Sequence, residues 1–141
     1  LGVSRAFLVF MFDAYDYDAK RDNVVLKLHP KLSPLKVAIF PLVKNKPPLV
    51  KNAREVYDSL KEEFNCLYDE TGSIGKRYAR QDEIGTPFNI TIDFDSLKKK
   101  DVTIRNRDTT KQIRIKIKDL KEVIKQLLEG ENLSKFGKYI N

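Results

Sequence analysis

Residues 37–43 read Val-Ala-Ile-Phe-Pro-Leu-Val, a run without a charged or polar side chain, set between Pro34 and the pair Pro47-Pro48. A strand that faces water on one side alternates apolar and polar residues, whereas a strand that is apolar at every position must be buried on both faces. That requirement calls for a sheet with helices packed over both sides. A chain of 141 residues, 41% of them hydrophobic, has room for one such core and no second large domain.

The flanking segments supply the layers. Beyond Pro48, the residues Val50, Ala53, Val56, Tyr57, Leu60 and Phe64 form one apolar stripe, which predicts an amphipathic helix. Asn65 to Tyr68 reads as a short strand, and Ser73 caps a second helix running to about Glu83. Phe88, Ile90, Ile92 and Phe94 alternate with Asn89, Thr91, Asp93 and Asp95, so a one-sided strand is expected whose polar face carries carboxylates. Lys98 to Asp101 reads as a charged loop. Val102 to Arg107, a turn at Asp108 to Thr110, and Gln112 to Lys118 form a hairpin signature. Asp119 with Glu122 offers a capping box for a last helix with Leu120, Val123, Ile124, Leu127 and Leu128 on its inner face, stopped by Gly130.

Before Pro34 the pattern changes. Val3, Phe7, Phe10 and Met11 recur at helical spacing, predicting a helix from Ser4 to Tyr15 that ends in an acidic turn-forming stretch, followed by a short strand from Val24 to Leu28. The chain begins with Leu1 in an apolar pattern without a polar lead-in and reads as a fragment of something longer. Three parts are expected: 1–33 as the end of a neighbouring domain, 34–130 as the compact fold, and 131–141 as a polar, fraying tail.

Charge narrows the partners. A formal net charge of +7 with 33% charged residues favours a polyanion such as RNA or an anionic membrane surface. The longest apolar run, Ala6 to Phe12, is far shorter than the ~20 residues a helical membrane span requires. One cysteine, Cys66, and one histidine, His29, leave no intramolecular disulfide and no Cys/His metal site to be expected, and a reducing cytoplasmic setting fits. No Gly-rich phosphate loop and no nucleophile with a base is present. The carboxylate pairs Asp82/Glu83 and Asp93/Asp95 sit beside Arg and Lys, as ordinary ion pairs do, so no catalytic residue is predicted.

Two constellations remain. Gly72 to Gly85, GSIGKRYARQDEIG, sets the cations Lys76, Arg77 and Arg80 among Tyr78 and Gln81. Cations hold phosphates, while planar and hydrogen-bonding groups read unstacked bases. A solvated helix with paired charges explains the same residues. The second constellation places Asp93 and Asp95 on one strand and Arg105 and Arg107 on the next, either as cross-strand salt bridges or as a base reader, with the Arg donating and the carboxylate accepting from an exocyclic amine.

The stretches LKVAIFPLVKN (35–45), GSIGKRYARQDEIGTP (72–87), ITIDFDSL (90–97) and VTIRNRDTTKQIRI (102–115) closely resemble glycyl-tRNA synthetases of the archaeal and eukaryotic type, and LGVSR (1–5) resembles the end of motif 3 of class II synthetases. The resemblance covers nearly the whole chain. It implies an α/β, three-layer anticodon-binding domain with a mixed five-stranded sheet and helices on both faces. It also implies a cytoplasmic parent that ligates glycine to tRNA using ATP with magnesium, is a homodimer, and includes this piece as its non-catalytic, tRNA-reading part, monomeric when on its own. By the same resemblance Arg5 matches an ATP-binding arginine. Similarity to the threonyl relative implies base contacts at Thr71, Asp95, Ser96 and Arg105, although Thr71 departs from the Asn of that relative; Lys76, Arg77, Arg80 and Lys98 would grip the backbone. The anticodon of glycine tRNA ends in two cytosines, whose edges suit a carboxylate and an arginine. Two other uses of such a string of elements stay open: a non-catalytic protein-interaction module like those of polymerase accessory subunits, and a small-ligand domain of flavodoxin-like type.

Overall fold

The apolar run forms an interior strand of the sheet. In the computed structural model, which describes residues 14–140, β3 spans Val37–Pro41 and every one of its residues is buried. The sheet order places it between β4 (Cys66–Tyr68) and β5 (Phe88–Ile92), parallel to both. β6 (Asp101–Asn106) and β7 (Gln112–Lys116) continue the sheet antiparallel, in the order β4-β3-β5-β6-β7. The expected mixed five-stranded sheet is the observed one.

The two faces of the sheet are chemically unlike. Val37 and Ile39, Phe88, Ile90 and Ile92, Val102 and Ile104, and Ile113 and Ile115 form one apolar core with two helices. These are α1 (Pro47–Leu60), contributing Leu49, Ala53, Val56 and Leu60, and the last helix, contributing Leu120, Val123, Ile124 and Leu127. Pro47 and Pro48 open α1, where a missing N–H leaves no helical bond unmade. On the other face lies α2 (Ile74–Ile84), capped at its start by Ser73, whose Oγ accepts from the Lys76 amide, and at its end by left-handed Gly85. Its buried residues are Arg77, Gln81 and Asp82; Asp82 accepts from Arg105 of the sheet and the Tyr78 hydroxyl bonds Thr91, where Asn89, Thr91, Thr103 and Arg105 are the buried polar residues of the strands. β5 is therefore covered on both sides, not on one as its alternation predicts; the polar half of the pattern faces a polar helix.

Four local expectations are corrected. The strand predicted through Asp95 stops at Ile92, because Asp93 and Ser96 form a reciprocal capping box that starts α3 (Phe94–Lys99), so Asp93 and Asp95 lie off the strand and Lys98 and Lys99 are helical. Asp119 makes no cap bond; a 3-10 turn, Ile117–Asp119, leads directly into α4 (Leu120–Leu128). Asp16, Tyr17 and Asp18, expected with residues 21–23 as a turn, belong to strand β1 (Tyr15–Asp18), which pairs antiparallel with β2 (Asn23–Leu26). The tail expected to fray places Leu133 in the core at 2% exposure, and the Ile140 amide donates to the Gln112 carbonyl. The helix expected over residues 4–15, and Arg5 within it, lie almost wholly outside the described residues.

Candidate nucleic-acid interface

β3, β4 and β5 are parallel, so their carboxyl ends open on one edge of the sheet. From that edge the chain leaves β3 for α1 on one face and β4 for α2 on the other, the kind of divergence at which α/β sheets bind ligands. Two groups of side chains stand there.

The first surrounds the start of α2. Arg80 donates to Asp69 Oδ2 at 2.7 Å and to the Thr71 carbonyl at 2.6 Å, and the Thr71 amide donates to Asp69 Oδ1 at 2.8 Å. Burial pushes the Asp69 carboxyl upward, but the bonds from Arg80 and Thr71 prevail and hold it below its ordinary value. Thr71, Lys76 and Arg80 are exposed and gather around the start of α2, with Arg80 folded back onto Thr71. Arg77 is different. It is 2% exposed, and its guanidinium donates to the carbonyls of Pro41 (2.5 Å), Leu42 (3.2 Å) and Gly72 (3.3 Å), tying α2 to the end of β3. Its terminal nitrogens are spent inside the fold, and it presents little to a partner.

The second group lies around α3. Asp93 receives both terminal nitrogens of Arg114 at 2.8 Å, and Arg114 reaches Asp101 through Nε at 3.1 Å and through its second terminal nitrogen at 2.7 Å. The Arg114 bonds, helped by the Ser96 amide and hydroxyl and opposed by burial, lower the Asp93 pKa to about 2; the two carboxylates push the Arg114 guanidinium upward. Phe94 stands beside this cluster with 49% of its surface in water, followed by exposed Asp95 and Lys98, and among the described residues Asp95 has no side-chain partner. Ser96 is fully buried by the capping box.

Arg105 does not join Asp95. It sits four residues along β6 from Asp101, beneath α2, where it is bound by Asp82 and lies over the Tyr78 ring at 4.7 Å. Arg107 likewise turns inward to the carbonyls of Gly85 and Leu28 and to Asp108. The cross-strand pairing expected of Asp93 and Asp95 with Arg105 and Arg107 is replaced by Asp93 with Arg114. Sequence reasoning passed over Arg114 and Phe94. The signal for Phe94 is the Asp-x-x-Ser spacing, which starts a helix at residue 94 and turns the ring outward. The signal for Arg114 is its phase in β7, opposite Thr103 and one step from Asp101 on the same face.

The arrangement offers a flat aromatic surface, an arginine held in a fixed plane by two carboxylates, a free carboxylate and separate cations. Planar groups stack bases and pinned polar groups read their edges, while flexible lysines meet phosphates. No cluster of His, Cys, Asp and Glu among the described residues is arranged to hold a metal ion. No helix among them is long and apolar enough to cross a membrane.

These features define an α/β domain built for contacts along one sheet edge. The family model described as the anticodon binding domain matches residues 36–127, and the chain belongs to that family. Among curated proteins it is 51% identical over 123 residues to the glycine–tRNA ligase of Acetivibrio thermocellus, covering 85% of this chain and 26% of that protein. It is 50% identical over 132 residues to the ligase of Clostridium beijerinckii (92% and 28%) and 48% identical over 123 residues to that of Borrelia hermsii (85% and 27%). The chain thus spans little more than a quarter of these relatives. Among solved structures it is similar to a prolyl-tRNA synthetase from Cryptosporidium parvum complexed with halofuginone and AMPPNP. That match has a TM-score of 0.69 and 25% identity, and covers 74% of this chain and 22% of that one.

Proposed function

We propose that this chain reads the anticodon arm of glycine tRNA as part of a glycine–tRNA ligase of the class II, archaeal and eukaryotic type, with residues 34–130 as the reading domain. The ligation of glycine, with ATP and magnesium, belongs to the rest of that protein, and Arg5 is the one residue here assigned to the nucleotide. The observation that carries the reading is the set Phe94, Asp95 and Arg114 at the carboxyl edge of the sheet, beside Lys98 and within the same edge as Thr71, Lys76 and Arg80. Phe94 stacks a base. Asp95 accepts from cytosine N4, and Arg114, whose first terminal nitrogen uses one of its two hydrogens on Asp93, donates the other to a ring acceptor. Arg105, Arg77 and Ser96 serve this site by fixing α2 and α3 beneath it. Cytoplasmic location and a homodimeric parent complete the reading.

The test is a titration of the chain with glycine tRNA and with the same tRNA carrying a swapped anticodon. A cognate preference is expected, and Arg114→Ala should remove ~1–3 kcal/mol of it while leaving binding to the swapped tRNA nearly unchanged. Equal affinity of the wild-type chain for both tRNAs overturns the proposal and favours a protein-interaction module.

A further inference from the structure

A groove of about 730 Å³ lies on the α1 side of the same sheet edge, between α1 and the segment joining α3, β6 and the end of β7. One wall carries Lys99, Lys100, Lys116 and Lys118, all exposed, and among the described residues none of the four has a carboxylate partner. Lys116 Nζ donates to the Lys99 carbonyl at 2.9 Å, which draws the end of β7 against α3 and concentrates the cations. The facing wall, from α1, carries Asn52, Glu55 and Ser59. Val56, Leu97 and Ile117 supply the apolar lining.

We infer that this groove binds the ribose–phosphate backbone of the RNA strand that leaves the base-reading edge, so that the tRNA footprint extends from Phe94 across α3 into it. The inference rests on the function proposed above. Three features select this occupant. The groove begins on the helix that carries the base-reading set, so a strand seated on Phe94 and Asp95 meets Leu97, Lys99 and Lys100 next. Its walls differ: cations on one side suit phosphates, while Asn, Ser and a carboxylate on the other suit ribose hydroxyls, which both donate and accept. The aliphatic lining accommodates sugar carbons and lacks the aromatic ring on which a base would stack.

The experiment measures binding of glycine tRNA and the anticodon-swapped tRNA to the chain over a range of salt, for wild type and for Lys99→Ala/Lys118→Ala. Both changes are on exposed side chains outside the base-reading set, and circular dichroism verifies the fold. The double variant is expected to weaken binding of both tRNAs by the same factor. It should also reduce the log-log salt slope by about 1.4, from ~0.7 per lost phosphate contact. Glu55→Ala is expected to narrow the preference of the chain for an RNA stem-loop over its DNA equivalent. Unchanged affinity and slope in the double variant overturn the inference and assign the groove to another partner. That failure is distinct from failure of the proposed function, which is read only in the anticodon preference of the wild-type chain.

Discussion

Asp82 and Arg105 meet through two parallel hydrogen bonds, Nη1 to Oδ1 at 3.0 Å and Nη2 to Oδ2 at 3.1 Å, with both side chains under a tenth exposed. The same carboxylate accepts from Arg21 of the β1–β2 connection at 3.2 Å, so one anion joins helix, sheet and hairpin. Asp82→Ala leaves the buried Arg105 guanidinium without its carboxylate, while Arg21 keeps Asp18, and breaking a buried pair in this way costs about 3–5 kcal/mol. Urea unfolding should register that loss. A change under 1 kcal/mol would show that water already reaches the carboxylate.

Gly85 and Gly72 both adopt left-handed backbone, at φ +85° and +74°, yet only one is crowded. A Cβ on Gly85 would sit 3.1 Å from the Leu26 carbonyl and 3.3 Å from the side chains of Leu26 and Leu28, whereas at Gly72 the nearest atoms are at 3.8 Å. Gly72→Ala should therefore cost only the conformational penalty, about 1–2 kcal/mol, and Gly85→Ala visibly more. Thermal denaturation of the two variants side by side gives the comparison, and equal midpoints would contradict the close approach of β2 to α2.

Asp93 is held at about 2 by Arg114, below the ordinary carboxylate value of 3.8. Because the folded value is depressed, its stabilisation is complete above about pH 4 and is lost as pH falls through the folded value. The stability difference between the wild-type chain and Asp93→Asn should be constant from neutral pH to about 4 and shrink toward pH 2. A difference that keeps its full size at pH 2 would mean that the carboxylate is not the group responsible.

Burial pushes the Cys66 thiol up to about 11, so at neutral pH it is almost wholly protonated. Alkylation by iodoacetamide at pH 7.5 should be slow in the folded chain and reach the free-thiol rate in denaturant. Rapid labelling of the native protein would place the β4 edge in contact with solvent.

The elements written in apolar side chains were legible from the sequence. The run at 37–43 and the α1 stripe each leave one energetic choice, burial, and both are found where they were expected. What escaped was written in polar side chains, whose partners are set by three-dimensional neighbours. Asp93 fits the alternation of β5 as well as it fits a cap, and only the bond to the Ser96 amide decides between them. β1 alternates Tyr with Asp and resembles a turn until its ladder with β2 is seen. Arg77 and Arg105 read as surface cations because an unpaired arginine is costly to bury; the carbonyls of residues 41, 42 and 72 and the carboxylate of Asp82 remove that cost. Hence exposed groups expected around 71–80 and 93–98 do stand at the sheet edge, while Arg105 lies inside the fold and Arg114, unremarked in the sequence, stands beside Asp93.

The contrast between the two faces of the sheet has a consequence for how such a domain can change over generations. On the α1 and α4 side, aliphatic residues touch without directional demands, so volume-conserving exchanges of Ile, Leu and Val leave the helices free to settle by fractions of an ångström. On the α2 side, the hydrogen bonds of Arg77, Asp82, Arg105 and Arg107 each need a donor aimed at an acceptor within a narrow range of distance, and a helix held that way resists sliding. The oily half can therefore drift in composition while the ionic half stays in place, and Thr71, Lys76 and Arg80, around the start of α2, inherit the fixed position of the half they are attached to.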